Sequence, residues 1–152
     1  MTPSNFDFHC HSTVSDGLLP PKEVAKRAAA NGVDLWALTD QDTLGGLAEA
    51  RAVAEESGME FVTGVEISIE WKKVPIHIVG LGFDDAHPAL TQGLDELRIG
   101  RIERAKRMGE ALAAINIPGV YEGALCYATN PSLISRAHFA RYMVSIGIAR
   151  DV

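Results

Sequence analysis

The sequence has only two cysteines, Cys10 and Cys126, and they form no CxxC pair. That scarcity excludes a disulfide-stapled scaffold and a cysteine-rich structural zinc module. No apolar run approaches the ~18 residues of a membrane-spanning helix, and no signal-like stretch stands at the start, so a soluble protein of a reducing cytoplasm is expected. Positive charge is in deficit: the formal net charge is -6 and the sequence pI about 5.3. General attraction to nucleic acid or anionic lipid is thereby excluded, and a phosphate-bearing ligand would need local cations. Repeats and low-complexity segments are absent too. What remains is 152 residues, 47% hydrophobic and 22% charged, enough for one domain with a real core.

The pattern along the chain is that of an α/β protein. Residues 5–11 read as a strand opening into a loop, 12–20, rich in Ser, Thr, Asp and Gly. Pro21 suits the first turn of a helix with Val24, Ala25, Ala28 and Ala29 as its apolar stripe and Asn31-Gly32 as its stop. A strand at 34–39, a helix at 43–56 and a strand at 60–68 come next, giving a βαβαβ order that calls for a parallel sheet or barrel. Residues 67–71 and 76–83, joined by a turn at Lys72-Lys73-Val74-Pro75, read as an antiparallel hairpin. The mixed three and four spacing of Leu90, Leu94, Leu97, Ile102, Ala105, Met108, Leu112 and Ile115 predicts a long helix over 88–115, which Ile117-Pro118-Gly119 separates from the C-terminal segment. A last helix is expected from Asn130, its cap, to Gly147, its terminator.

Residues two apart on a strand share a face, so Asp7, His9 and His11 should project together at the end of the first strand. Imidazole nitrogen is a common ligand of zinc, manganese and iron, and Asp7 is placed to accept the second ring N–H of a ligating histidine. An HxH triplet alone is more often just a pair of surface histidines. Its company makes the difference: Asp16 follows in the loop, Thr39-Asp40-Gln41-Asp42 ends the second strand, Glu66 ends the third, and His77 comes from the hairpin. Ligand types gathered at the C-terminal ends of successive strands mark where parallel α/β folds place their sites.

Asp7-Phe8-His9-Cys10-His11-Ser12 with Ser15-Asp16-Gly17 resembles the opening motif of the PHP (polymerase and histidinol phosphatase) family. Residues 37–42, Gly64-Val65-Glu66-Ile67-Ser68 and 76–82 are similar to its later motifs, and the nearest branch is that of nucleotide phosphatases and small-RNA exonucleases. The resemblance implies the N-terminal part of a distorted (β/α)7 barrel at 1–87, a helical insertion at 88–147, and the start of a continuation at 148–152. It implies divalent metals, most often manganese, with zinc or iron(II) as alternatives. His9, His11 and Glu66 would hold one metal, Glu66 and His77 a second, and Asp16 a third, with Asp7 and Asp40 supporting them. At the position of a usual histidine ligand this chain has Gln41, whose amide oxygen is the weaker ligand. The implied reaction is hydrolysis of a nucleotide phosphomonoester, such as a 3',5'-nucleoside bisphosphate or AMP, by metal-bound hydroxide without a protein nucleophile. Arg101, Arg104, Arg136 and His138 are the candidate substrate contacts. The alternative is a truncated or degenerate half-domain that binds metal or nucleotide without catalysis. Open sheet edges in a half-barrel further predict a homodimer or a second chain that completes it.

Overall fold

In the computed structural model, residues 5–72 and 74–152 are described. Three short parallel strands, β1 (Phe6–Asp7), β2 (Leu35–Trp36) and β3 (Glu60–Phe61), lie in the order β1-β2-β3. Their crossovers are α1 (Pro21–Ala30) and α2 (Leu47–Glu56). Alanine at positions 25, 28, 50 and 54 lets the two helices approach closely over Trp36 and Leu38, and Met59 completes this core.

The strands are much shorter than expected because side chains replace strand partners where the motifs begin. Asp7 Oδ1 accepts the backbone N–H of His9 at 3.2 Å, and Thr39 Oγ1 accepts that of Cys10 at 3.1 Å. His9 and His11 therefore stand in a loop beyond β1. In that loop a Cβ at Gly17 would meet the His11 carbonyl oxygen at 2.3 Å, so only glycine fits. The second helix starts at Leu47, later than the expected position 43, since Asp42 has a φ of 53° and the chain must turn through Gly45-Gly46 first.

The expected strand at 60–68 is two elements. After β3 the chain breaks and re-enters as β4 (Gly64–Trp71), which pairs antiparallel with β5 (Val74–Leu81). Of the expected connecting turn, Lys73 lies outside the described residues; Lys72 has a φ of 50°. An isolated parallel bridge between Gln41 and Glu66 joins the end of the β2 segment to β4. The β5 strand pairs only with β4 among the described residues, and Val74, Ile76, Ile78, Val79 and Leu81 on it are exposed.

The long helix is present as α3 (Pro88–Ala114). A short helix, α4 (Val120–Leu125), follows Gly119, at a φ of 74°, in a stretch too short to show a period. The expected last helix is divided. Asn130 caps only a 3₁₀ turn, Pro131–Leu133, by accepting from Ser132 N at 3.0 Å, and Ser135 opens α5 (Arg136–Ser145). The division lets Leu133 and Ile134 turn inward; Ile134 joins Ala105, Val120, Ala124 and Phe139 in a second core. No helix among the described residues is long and apolar enough to cross a membrane.

Candidate metal centre and anion pocket

Glu66 is the hub of the centre. On the β4–β5 ladder it pairs with Val79 while Ser68 pairs with His77, so Glu66 and His77 are diagonal neighbours on one face of the hairpin. The His9–His11 loop approaches that face from the parallel sheet. His9 Nε2 and His11 Nε2 lie 2.8 and 2.7 Å from Glu66 Oε2, and His77 Nδ1 contacts Oε1. Ligand atoms of His9, His11 and Glu66 all fall within 4.8 Å of one another, a spacing that one ion could bridge.

The electrostatics agree with that donor set. Burial opposes ionisation of Glu66, yet hydrogen bonds from His9, His77 and His11 outweigh it and hold the carboxyl at about 2. His11 Nδ1 meets Asp16 Oδ1 at 2.9 Å, leaving Nε2 for the centre. Burial pulls the His11 pKa down, but Asp16 and Glu66 together raise it; Asp16, opposed by burial, is lowered by His11. A carboxylate that orients a ligating imidazole in this way fixes its tautomer and increases its basicity. The sequence suggested Asp7 for that part. In the structure Asp16 takes it for His11, and the Asp7 carboxylate accepts a backbone N–H instead.

Asp40 is buried and braces the loop, accepting from Ser12 N, Ser12 Oγ and Ser15 Oγ, each at 2.6 Å. Cys10 Sγ donates to the Ala37 carbonyl oxygen at 3.4 Å, and burial, with the Asp7 carboxylate nearby, pushes its thiol up to about 12.

Beside the centre is a cavity of about 130 Å³ lined by Asp16, Gln41, Ser68, His77, Arg101, Arg104, Ser135, Arg136 and Ala137. It shares Ser68, Arg101, Arg104 and Arg136 with a wider cavity of about 510 Å³ that also takes in Arg107. Burial and the charges of Arg101 and Arg136 lower the pKa of Arg104. Asp42 offsets part of this crowding, and the remainder favours an anion between the guanidiniums.

Two of the expected substrate contacts are engaged by the protein itself. Arg101 is not a free clamp but a 4% exposed side chain whose Nε donates to Asp42 Oδ2 at 2.5 Å and whose Nη2 donates to Gln41 Oε1 and Ser68 Oγ at 3.0 and 2.9 Å. Only its remaining donors are available to a ligand. His138 lines neither cavity: it is buried at the third position of α5, where its Nδ1 accepts from Ser135 N at 3.0 Å. The capping box of that helix claims the imidazole, and burial lowers its pKa. Arg104 and Arg136 do line the pocket.

Asp42, which the sequence offered with Asp40 as a supporting or helix-capping residue, braces the site, as do Ser68 and Arg141, which the sequence did not single out for these parts. Asp42 is buried, receives Ser68 N at 2.7 Å, and offers its backbone carbonyl to Arg98 at 2.9 Å. Arg141 Nη2 donates to the backbone oxygen of Asp16 at 2.6 Å, tying α5 to the loop of the centre. The Thr39-Asp40-Gln41-Asp42 run carried a signal for Asp42; Ser68 and Arg141 acquire their parts only through tertiary packing.

Known proteins resemble the chain as a whole. The chain is 51% identical over 149 residues to a 3',5'-nucleoside bisphosphate phosphatase of Chromobacterium violaceum, covering 98% of this chain and 52% of that protein. It is 48% identical over 142 residues to a 5'-3' exoribonuclease of Haemophilus influenzae, covering 93% of this chain and 51% of that one. A solved amidohydrolase structure from Chromobacterium violaceum, with bound sulfate and no metal, superposes with a TM-score of 0.93 at 51% identity, over 97% of this chain and 52% of that chain. The chain thus spans about half the length of the relatives it matches. Residues 7–122 match the PHP domain, and the chain belongs to the PHP family.

Proposed function

We propose that this chain carries the first metal-binding half of a PHP-type phosphoesterase that hydrolyses a nucleotide phosphomonoester, of the 3',5'-nucleoside bisphosphate or AMP kind. One observation carries the reading: His9, His11 and Glu66 converge within 4.8 Å beside a pocket walled by Arg101, Arg104 and Arg136. The donor set of two imidazoles and a carboxylate, with His77 on the second carboxylate oxygen, suits a divalent ion such as manganese(II), and zinc or iron(II) use the same ligand types. Such an ion, when bound, polarises a phosphoryl oxygen and lowers the pKa of water from 15.7 toward about 7.

The chain's own residues supply the rest. His9 and His11 present nitrogen lone pairs once the centre is deprotonated, with Asp16 holding the His11 tautomer. Glu66 brings negative charge and two oxygens. Arg104 and Arg136 take the phosphate of the substrate, and Arg101, held rigid from behind, turns its remaining N–H groups toward it. Asp40 and Asp42 fix the loops that carry these groups. The free Cys10 and Cys126 fit a reducing compartment, and the cytoplasm is the reading.

The relatives' names support phosphoester chemistry and divide over the substrate, since one is a phosphatase and the other an exoribonuclease. A second reading, a non-catalytic half-domain that binds metal or nucleotide, is favoured by the open β5 strand with its exposed apolar side chains. Manganese-dependent release of inorganic phosphate from adenosine 3',5'-bisphosphate and from AMP separates the two. Wild type should exceed a His9→Ala, Glu66→Ala double variant by orders of magnitude; equal rates would leave only the half-domain reading.

A further inference from the structure

Gln41 stands between the two parts of the site. Its Oε1 accepts from Arg101 Nη2 at 3.0 Å, while its Nε2 faces Glu66 Oε1 at 3.5 Å and His77 Nδ1 at 3.4 Å. A guanidinium has donors only, so the atom turned toward Arg101 must be the amide oxygen. The amide nitrogen is then turned toward the carboxylate, and it carries N–H groups with no lone pair to give. Reversing the amide would set N–H against guanidinium and oxygen against carboxylate, two repulsions in place of two attractions.

The backbone fixes this position. Gln41 and Glu66 form a parallel bridge, flanked by Glu66 N to Asp40 O at 3.2 Å and Asp42 N to Glu66 O at 2.9 Å. Arg101 has its other anchors at Asp42 and Ser68, so Gln41 is the anchor that reaches the carboxylate of the centre.

We propose that Gln41 is a positioning residue and not a metal ligand: its carbonyl sets the Arg101 guanidinium in the wall of the anion pocket, and its N–H groups steady Glu66 and face His77. On that side the centre is bounded by a fixed side-chain cation in place of a ligand lone pair. This assignment rests on the metal- and phosphate-binding reading given above.

The test uses the whole chain with Gln41→Met, a change of similar length that lacks both polar atoms, and Gln41→Leu beside it. Two readouts need no turnover: manganese bound per chain after equilibrium dialysis, and the affinity of the metal-free protein for inorganic phosphate by calorimetry. Both variants should bind as much manganese as wild type and bind phosphate roughly tenfold more weakly, the effect expected of removing one hydrogen bond to a charged group. Loss of a manganese equivalent per chain at saturating manganese would make Gln41 a ligand and overturn the assignment, and so would an unchanged phosphate affinity. Wild type that takes up manganese but no phosphate would sink the phosphoesterase reading instead, and the manganese measurement would still decide whether Gln41 is a ligand.

Discussion

His11 and Glu66, 55 residues apart in the chain, meet at 2.7 Å, and the imidazole is turned to that contact by Asp16 on its other nitrogen. A loop from the parallel sheet and a strand of the antiparallel hairpin are joined through this pair. Removing the carboxylate should therefore do more than subtract one ligand. Glu66→Ala leaves three imidazoles without their common acceptor, and the variant should retain essentially no tightly bound manganese after dialysis, as measured by elemental analysis. Undiminished metal content would show that the ion sits elsewhere.

The metal-free protein should have a characteristic pH profile. Glu66 has a folded pKa of about 2, below its ordinary 4.5, so its contribution is present above pH 4.5 and is lost as pH falls from 4.5 toward 2. His11 is raised above its ordinary 6.5, so its contribution is present below pH 6.5 and is lost as pH rises through the folded value. These two groups together favour stability between about pH 4.5 and 6.5, readable from urea denaturation at a series of pH values. Manganese affinity should run the other way over the neutral range, weakening as pH drops and His11 keeps its proton. A His11→Gln variant that kept the alkaline loss of stability would refute the assignment.

The arginines should divide by their surroundings. Arg101→Ala strands the buried Asp42 carboxylate, which is 1% exposed, and should cost about 3 kcal/mol in denaturant unfolding. Arg104→Ala relieves repulsion from Arg101 and Arg136, so the ligand-free protein should be unchanged or slightly more stable, while KM for a nucleotide phosphate rises about tenfold or more. Phosphate or sulfate should raise the melting temperature of wild type and have a smaller effect on Arg104→Ala. Equal destabilisation by the two changes would contradict this division.

The exposed apolar β5 strand predicts association. Val74, Ile76, Ile78, Val79 and Leu81 are each at least 37% exposed on a strand whose second edge has no partner among the described residues, a template for pairing. Light scattering on the isolated chain should show a dimer or larger species at micromolar concentrations, and Ile78→Lys should shift it toward monomer. A stable wild-type monomer at high concentration would count against it.

Much of the candidate site was legible in the sequence because its residues sit in short local motifs. His9, His11, Glu66 and His77 announce their type, and the structure brings all four together, although Glu66 stands near the start of β4 and His77 in the middle of β5 instead of at strand ends. Strand lengths were less legible, because Asp7 and Thr39 side chains capture backbone N–H groups that an alternating pattern assigns to a ladder. The spacing of Arg98, Arg101, Arg104 and Arg107 along α3 did not reveal that Arg101 would be held by Asp42, Ser68 and Gln41, for those partners arrive from β4 and from the loop after β2. His138 misled for a related reason: a polar residue after Ser135 serves equally as a ligand contact or as the third position of a capping box, and the backbone geometry of α5 decides for the box.

His9, His11 and Glu66 are the proposed metal site. Its most direct test is anomalous diffraction at the manganese edge from crystals of this chain equilibrated with manganese(II). An anomalous peak is expected in coordination contact with His9 Nε2, His11 Nε2 and a Glu66 carboxylate oxygen. A map with no peak there, from crystals whose manganese lies at other positions, would contradict it.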